Sequence, residues 1–90
     1  MKYKLDVDEE VLKWLRTLQS KQYKQIAQKM FSLMSNPTPQ DSLKLDEGKY
    51  RVDSGEFRIG YTVNHEKQLV TVFLIGKRND DEFYRLLKRK

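Results

Sequence analysis

The chain reads as an α+β fold: an N-terminal strand, a two-helix hairpin packed on a mostly antiparallel four-stranded sheet, and a short C-terminal helix. Three observations predict it. Apolar residues alternate with charged ones at the N-terminus, recur at helical spacing through two successive segments, and alternate again in three later segments parted by short polar turns. All of it belongs to one domain over residues 1–90, since so short a chain cannot build two cores.

Taken in order, Tyr3, Leu5 and Val7 alternate with Lys2, Lys4 and Asp6, the period of a half-buried strand. Asp8 offers an N-cap, and Glu9 and Glu10 put negative charge in a first helical turn. Val11, Leu15 and Leu18 follow at helical spacing, flanked by Leu12 and Trp14. Ser20 caps a second helix whose apolar face is Tyr23, Ile26, Ala27, Met30, Leu33 and Met34, with Phe31 beside them. Asn36-Pro37 stops it, because proline disfavours helical geometry in the residue before it. The polar stretch 36–42, with its two prolines, is a loop.

Leu43 and Leu45 then lead into three strands. The first carries Tyr50 and Val52 on one face and Arg51 and Asp53 on the other, and Ser54-Gly55 supplies a tight turn. The second places Phe57, Ile59, Tyr61 and Val63 on one face and Arg58, Gly60, Thr62 and Asn64 on the opposite one. After the polar connection Asn64–Gln68 comes Leu69–Ile75, apolar on both faces and therefore central. A helix from Asp80 has Phe83, Leu86 and Leu87 apolar and Arg85, Lys88, Arg89 and Lys90 basic.

Composition narrows the function. Eighteen Lys and Arg against thirteen Asp and Glu leave a net charge of +5, a surplus that attracts polyanions because each phosphate contact releases condensed counterions. There is no cysteine, which excludes a disulfide framework and a thiolate metal site. The one histidine, His65, sits in a turn between strands; with no cysteine beside it the usual zinc ligand sets cannot be assembled, and a Ser–His–Asp arrangement would have to use His65, for which nothing in the sequence speaks. Gly48, Gly55, Gly60 and Gly76 are scattered and make no phosphate-binding loop. No metal and no cofactor is expected, and any enzyme here must work by positioned cations and hydrogen bonds. The N-terminus lacks the apolar stretch of a signal peptide, and no run approaches the ~20 apolar residues that span a bilayer. The expectation is a cytoplasmic protein with no membrane partner.

Strand alternation locates the cations. If Tyr50, Val52, Phe57, Ile59 and Tyr61 face the helices, Arg51 and Arg58 project from the other side of the sheet, where planar guanidiniums suit phosphate oxygens. Lys77 and Arg78 follow the buried strand directly and can point over that same face. Six positions after Arg78, Tyr84 can stack on a base or donate its hydroxyl, or pack as core.

These residues carry a resemblance. Tyr50-Arg51-Val52, then Phe57-Arg58-Ile59-Gly60-Tyr61, then Ile75-Gly76-Lys77-Arg78 and finally Tyr84 resemble the RelE/ParE toxin superfamily. The likeness covers nearly the whole chain, since the early strand and the helical hairpin also fall in the family's order. It implies the toxin of a type II toxin–antitoxin system. RelE-like toxins enter the ribosomal 30S A site and cleave the bound mRNA without a metal ion, and a cognate antitoxin wraps and silences them. Their functional residues are basic groups on the central strands, an arginine after the last strand and a tyrosine near the C-terminus. Arg51, Arg58, Arg78 and Tyr84 stand at those positions here.

On that resemblance Arg58, Arg78 and Tyr84 are the catalytic candidates. Arg51, Lys77, Arg85 and Lys88 are RNA-binding candidates, and Glu56 is a candidate proton acceptor. The implied reaction is attack by a ribose 2′-hydroxyl on the adjacent phosphate. Arg58 and Arg78 would hold the phosphorane, an electrostatic role often worth about 3–4 kcal/mol per donor. Arg51 would position the backbone, and Tyr84 would stack on or orient the attacking nucleotide. One position departs from the family: RelE carries two lysines separated by one residue on this strand, and the second falls at Asp53. The loop that follows is also shorter. The departure leaves two other functions open, a ParE-like toxin that binds DNA gyrase with no chemistry of its own, and a degenerate module that only binds its antitoxin. Under each, apolar surface on the helical hairpin and open sheet edges would receive an extended, acidic antitoxin segment.

Overall fold

In the computed structural model residues 2–89 are described, the side chain of Asp80 apart. Lys90, grouped above with the basic end of the last helix, lies outside them. Alternation at the N-terminus produces β1 (Lys4–Val7), and the two helical stripes produce α1 (Glu9–Leu15) and α2 (Ser20–Ser32). Then come β2 (Leu43–Asp46), β3 (Lys49–Ser54), β4 (Phe57–Asn64) and β5 (Leu69–Lys77). A 3₁₀ turn, Asn79–Asp81, leads into α3 (Glu82–Lys88). Among the described residues no helix is long and apolar enough to cross a membrane.

The sheet has five strands in the order β1-β5-β4-β3-β2, all antiparallel except β1, which runs parallel to β5. The class is as expected, but the strand count of four is corrected to five. The additional strand, β2, folds back on β3 through Glu47-Gly48, with Gly48 at φ +72°. It is a short edge whose Leu43 stays 48% exposed, so it has no buried face to leave a periodic signal.

One face of the sheet carries the core. Val52, Ile59, Tyr61, Val70 and Val72 are fully buried there, against Val11 and Leu15 of α1 and Ile26, Met30 and Leu33 of α2 and its exit. Trp14 seals the edge with its ring at right angles to Phe57. Tyr23, expected in the α2 stripe, is instead 49% exposed. The cause is local: the first half of α2 meets the polar tip of the β3–β4 hairpin, through Gln22 to Glu56 and the Gln25 carbonyl to Ser54.

Helix ends also shift slightly from expectation. Gln19, not Ser20, holds the N-cap position of α2, and Asp8 stands at the N-cap of α1 without a side-chain bond to its amides. Leu18 falls beyond the end of α1, yet still packs on the core.

Strand β5 lies between β1 and β4 and explains its own double-sided apolarity. Gly60 pairs with Leu74 but Tyr61 with Val72, which leaves Phe73 as an extra, bulged residue. Val70, Val72 and Ile75 therefore all reach the core, while Leu74 and Gly76 face the other way, beside Gly60 and Arg58. On that second face lies α3. Its Phe83 is fully buried, and a Cβ at Gly60 or Gly76 would come within 3.0 Å of it. Two glycines on neighbouring strands thus make a trough for one residue, Gly60 under the Phe83 ring and Gly76 under its backbone.

Candidate functional site

The site is set by the β3–β4 turn. Only Gly55 and Glu56 separate the paired residues Ser54 and Phe57, with Gly55 at φ +60°, a conformation glycine adopts without strain. So short a loop fixes the register: Asp53 faces Arg58 across the strands, and Arg51 stands two residues back on the same face. This is the face that α3 half covers.

Arg51 and Arg58 are both drawn to Asp53. Its Oδ1 accepts from Arg51 Nη1 at 3.3 Å and from Arg58 Nε at 3.1 Å. Arg78, just past β5, comes to the same carboxylate, with its Nε 3.6 Å from Asp53 Oδ2. The Arg78 backbone N–H donates to the Glu56 carbonyl at 2.9 Å and its Nη1 donates to the Gly55 carbonyl at 2.9 Å, so the hairpin tip clamps it. Three cations around one carboxylate leave the cluster doubly positive.

Tyr84 closes the cluster from above. The Arg58 guanidinium carbon lies 5.3 Å from the centre of its ring and that of Arg51 6.0 Å away, both within cation–π range. The Phe83 ring meets Tyr84 edge-on at 5.3 Å, so the residue filling the glycine trough also orients the tyrosine. Side-chain exposure differs across the cluster: 17% for Arg51, 19% for Arg58 and 49% for Arg78. Arg78 is the most open to an incoming anion, and Arg51 is largely an inner support whose Nε is buried with no hydrogen-bond partner.

Residues from four stretches of chain thus form a cationic, aromatic-capped patch. No protein-family model matches the chain. The mRNA interferase toxin RelE of Escherichia coli strain K12 is 35% identical to it over 88 residues, which span 93% of this chain and 92% of that protein. The chain belongs to the RelE-like toxin superfamily. A double arginine-to-alanine variant of Escherichia coli RelE in the free state shares the fold with a TM-score of 0.78 and 31% identity, over 99% of this chain and 98% of that one. A chain of the intact Escherichia coli RelBE toxin–antitoxin complex matches with a TM-score of 0.73 and 30% identity, over 86% and 98% of the two chains.

Within this RelE-like fold the expected residues divide into two groups. Arg51, Arg58, Arg78 and Tyr84 come together as described. Lys77, Arg85 and Lys88 are exposed, Lys77 at the end of β5 and the other two on α3, the helix that carries Tyr84. Glu56 is at the hairpin tip, where its Oε2 accepts from Gln22 Nε2 at 2.9 Å. His65 lies in the turn at the far end of β4 from Arg58, with its Nδ1 2.7 Å from the Tyr3 hydroxyl. Among the described residues no group of three or more His, Cys, Asp and Glu side chains is arranged to hold a metal ion. Sequence reasoning missed that Asp53 is the centre of the cluster. The signal was present: a two-residue turn at Gly55-Glu56 sets Asp53 opposite Arg58.

Proposed function

We propose that this chain is the toxin of a toxin–antitoxin pair, acting in the cytoplasm as a ribosome-dependent mRNA endonuclease and silenced by a cognate antitoxin. The observation that carries the reading is the convergence of Arg58, Arg78 and Tyr84 on one partly open face of the sheet. The relative named mRNA interferase toxin, and the solved toxin–antitoxin complex of the same fold, support the activity and the protein partner.

In the proposed reaction a ribose 2′-oxygen attacks the adjacent phosphorus and the bond to the 5′-oxygen breaks. The products are a 2′,3′-cyclic phosphate and a free 5′-hydroxyl. Arg58 and Arg78 stabilise the charge gathering on the phosphorane oxygens, which is the work a metal ion would otherwise do, and metal is not required. Tyr84 orients the attacking nucleotide, and Lys77, Arg85 and Lys88 hold flanking phosphates. The 2′-hydroxyl must lose a proton and the 5′-oxygen must gain one. Arginine is a poor carrier, with a pKa above ~12. Asp53 is engaged by guanidiniums and Glu56 by Gln22, which favours a group lent by the ribosome over Glu56 as proton acceptor.

The purified protein on translating ribosomes tests this: truncated messages are expected, with little cutting of free RNA. Arg78→Ala and Tyr84→Ala each abolish growth arrest on overexpression while the circular dichroism melt stays within a few degrees of wild type. Intact messages on translating ribosomes would end the nuclease reading. Asp53 among the arginines favours a second reading, a gyrase-binding toxin without chemistry, which would show SOS induction and filamentation in place of halted translation.

A further inference from the structure

Asp53 is the one acidic group of the cluster, and it occupies the middle. Its carboxylate meets Arg51 and Arg58 through Oδ1 and Arg78 through Oδ2. A carboxylate and a phosphate offer a guanidinium the same partner, a pair of anionic oxygens set to accept its N–H groups. Arg51 Nε is buried with no hydrogen-bond partner, so the cluster carries more donors than Asp53 alone satisfies.

We propose that Asp53 is an internal counter-anion seated in the phosphate-binding site, and that an RNA phosphate enters by displacing it from Arg58 and Arg78. The inference rests on the nuclease reading for the identity of the incoming anion. The physical case has two sides. Three guanidiniums repel one another, and Asp53 holds them gathered when no RNA is present. The same negative charge opposes any phosphate that approaches. Free RNA is therefore bound weakly, and productive binding needs a partner that presents the phosphate at high local concentration.

Asp53→Asn keeps the side-chain shape and removes the charge. The probe is a short single-stranded RNA carrying 2′-deoxy substitutions, so that it cannot be cleaved. A unit charge a few ångströms from the bound phosphate weakens binding about tenfold or more at the dielectric of a protein surface. The variant is expected to bind the oligonucleotide at least about tenfold more tightly than wild type. Its plot of log affinity against log salt should steepen by about 0.7, the contribution of one further phosphate contact on a single strand. Equal or weaker binding by the variant overturns the proposal.

Should the asparagine variant fold poorly, wild type provides a second measurement. In a crystal of wild type with the same oligonucleotide, a phosphate should stand between Arg58 and Arg78 with Asp53 rotated away. A phosphate bound elsewhere, with Asp53 still in place, also overturns the proposal. Cleavage on translating ribosomes reports on the nuclease reading separately. Tighter binding without cleavage sinks the nuclease and keeps the counter-anion, and cleavage without tighter binding does the reverse.

Discussion

A methyl group at Gly76 would reach the backbone of α3. Its carbon would stand 3.0 Å from Phe83 Cα and 3.3 Å from the Phe83 nitrogen, with Leu86 Cδ1 at 3.4 Å. Two of those neighbours are main chain and cannot swing aside, so Gly76→Ala must lift the start of α3 by a few tenths of an ångström. Two effects then oppose each other. Replacing a strand glycine by alanine recovers about 0.5–1 kcal/mol of backbone entropy. Overpacking costs about 1–3 kcal/mol. The second is larger, and the net loss of about 1–2 kcal/mol falls on the docking of α3. Its ceiling is the about 1.5–3 kcal/mol that burying a side chain such as Phe83 contributes. Amide hydrogen exchange reads this directly: α3 amides should exchange about 5–30 times faster, while those of β4 keep their protection. Because Tyr84 adjoins Phe83, the cleavage on ribosomes proposed above should fall alongside. Unchanged protection of α3, or a variant more stable than wild type, would refute the clash.

Two further predictions concern stability. The buried Tyr61 hydroxyl donates to the Pro37 carbonyl at 2.7 Å, so Tyr61→Phe should cost about 1–2 kcal/mol in chemical denaturation at neutral pH. Burial also pushes the Tyr61 hydroxyl from its usual value of 10 up to about 12. The unfolded chain therefore releases this proton first, and the associated stability is complete below pH 10 and is lost as pH rises through about 12. Tyr61→Phe should flatten that alkaline decline, and an unchanged decline would assign it to another group. Asp8 makes no side-chain cap bond, so Asp8→Ala should cost only the helix-dipole contribution of about 0.5 kcal/mol; a loss above about 1 kcal/mol in urea titration would show that the cap does form.

Much of the fold was legible because period and face are coupled in strands. Tyr50, Val52, Phe57, Ile59 and Tyr61 alternate against Arg51 and Arg58, and this alone put the two arginines on the face away from α1 and α2. The β2 strand was not legible, since an exposed edge buries too little to impose a pattern. The end of β5 was legible in type but not in phase: nothing in its unbroken apolar run marks Phe73 as the extra residue. The site was legible in membership and not in its centre. Asp53 counts as a departure when only its charge is considered; it becomes the meeting point of three arginines once the register is known. Tyr84 reached the cluster for a reason no helical periodicity contains, the trough left by Gly60 and Gly76 for its neighbour Phe83.

The supernumerary Phe73 constrains how this strand can change over time. Upstream of it even-numbered side chains enter the interior, and downstream the odd-numbered Ile75 does. Removing Phe73 would only restore a regular ladder, but adding one residue beside it would invert the distal half, driving Gly76 inward, Ile75 into the seat of the Phe83 ring, and Arg78 off toward the wrong layer. Losing a residue from the 36–42 loop would do none of this. Length variation among descendants of this sequence should therefore collect in that loop and spare the strand that aims Arg78.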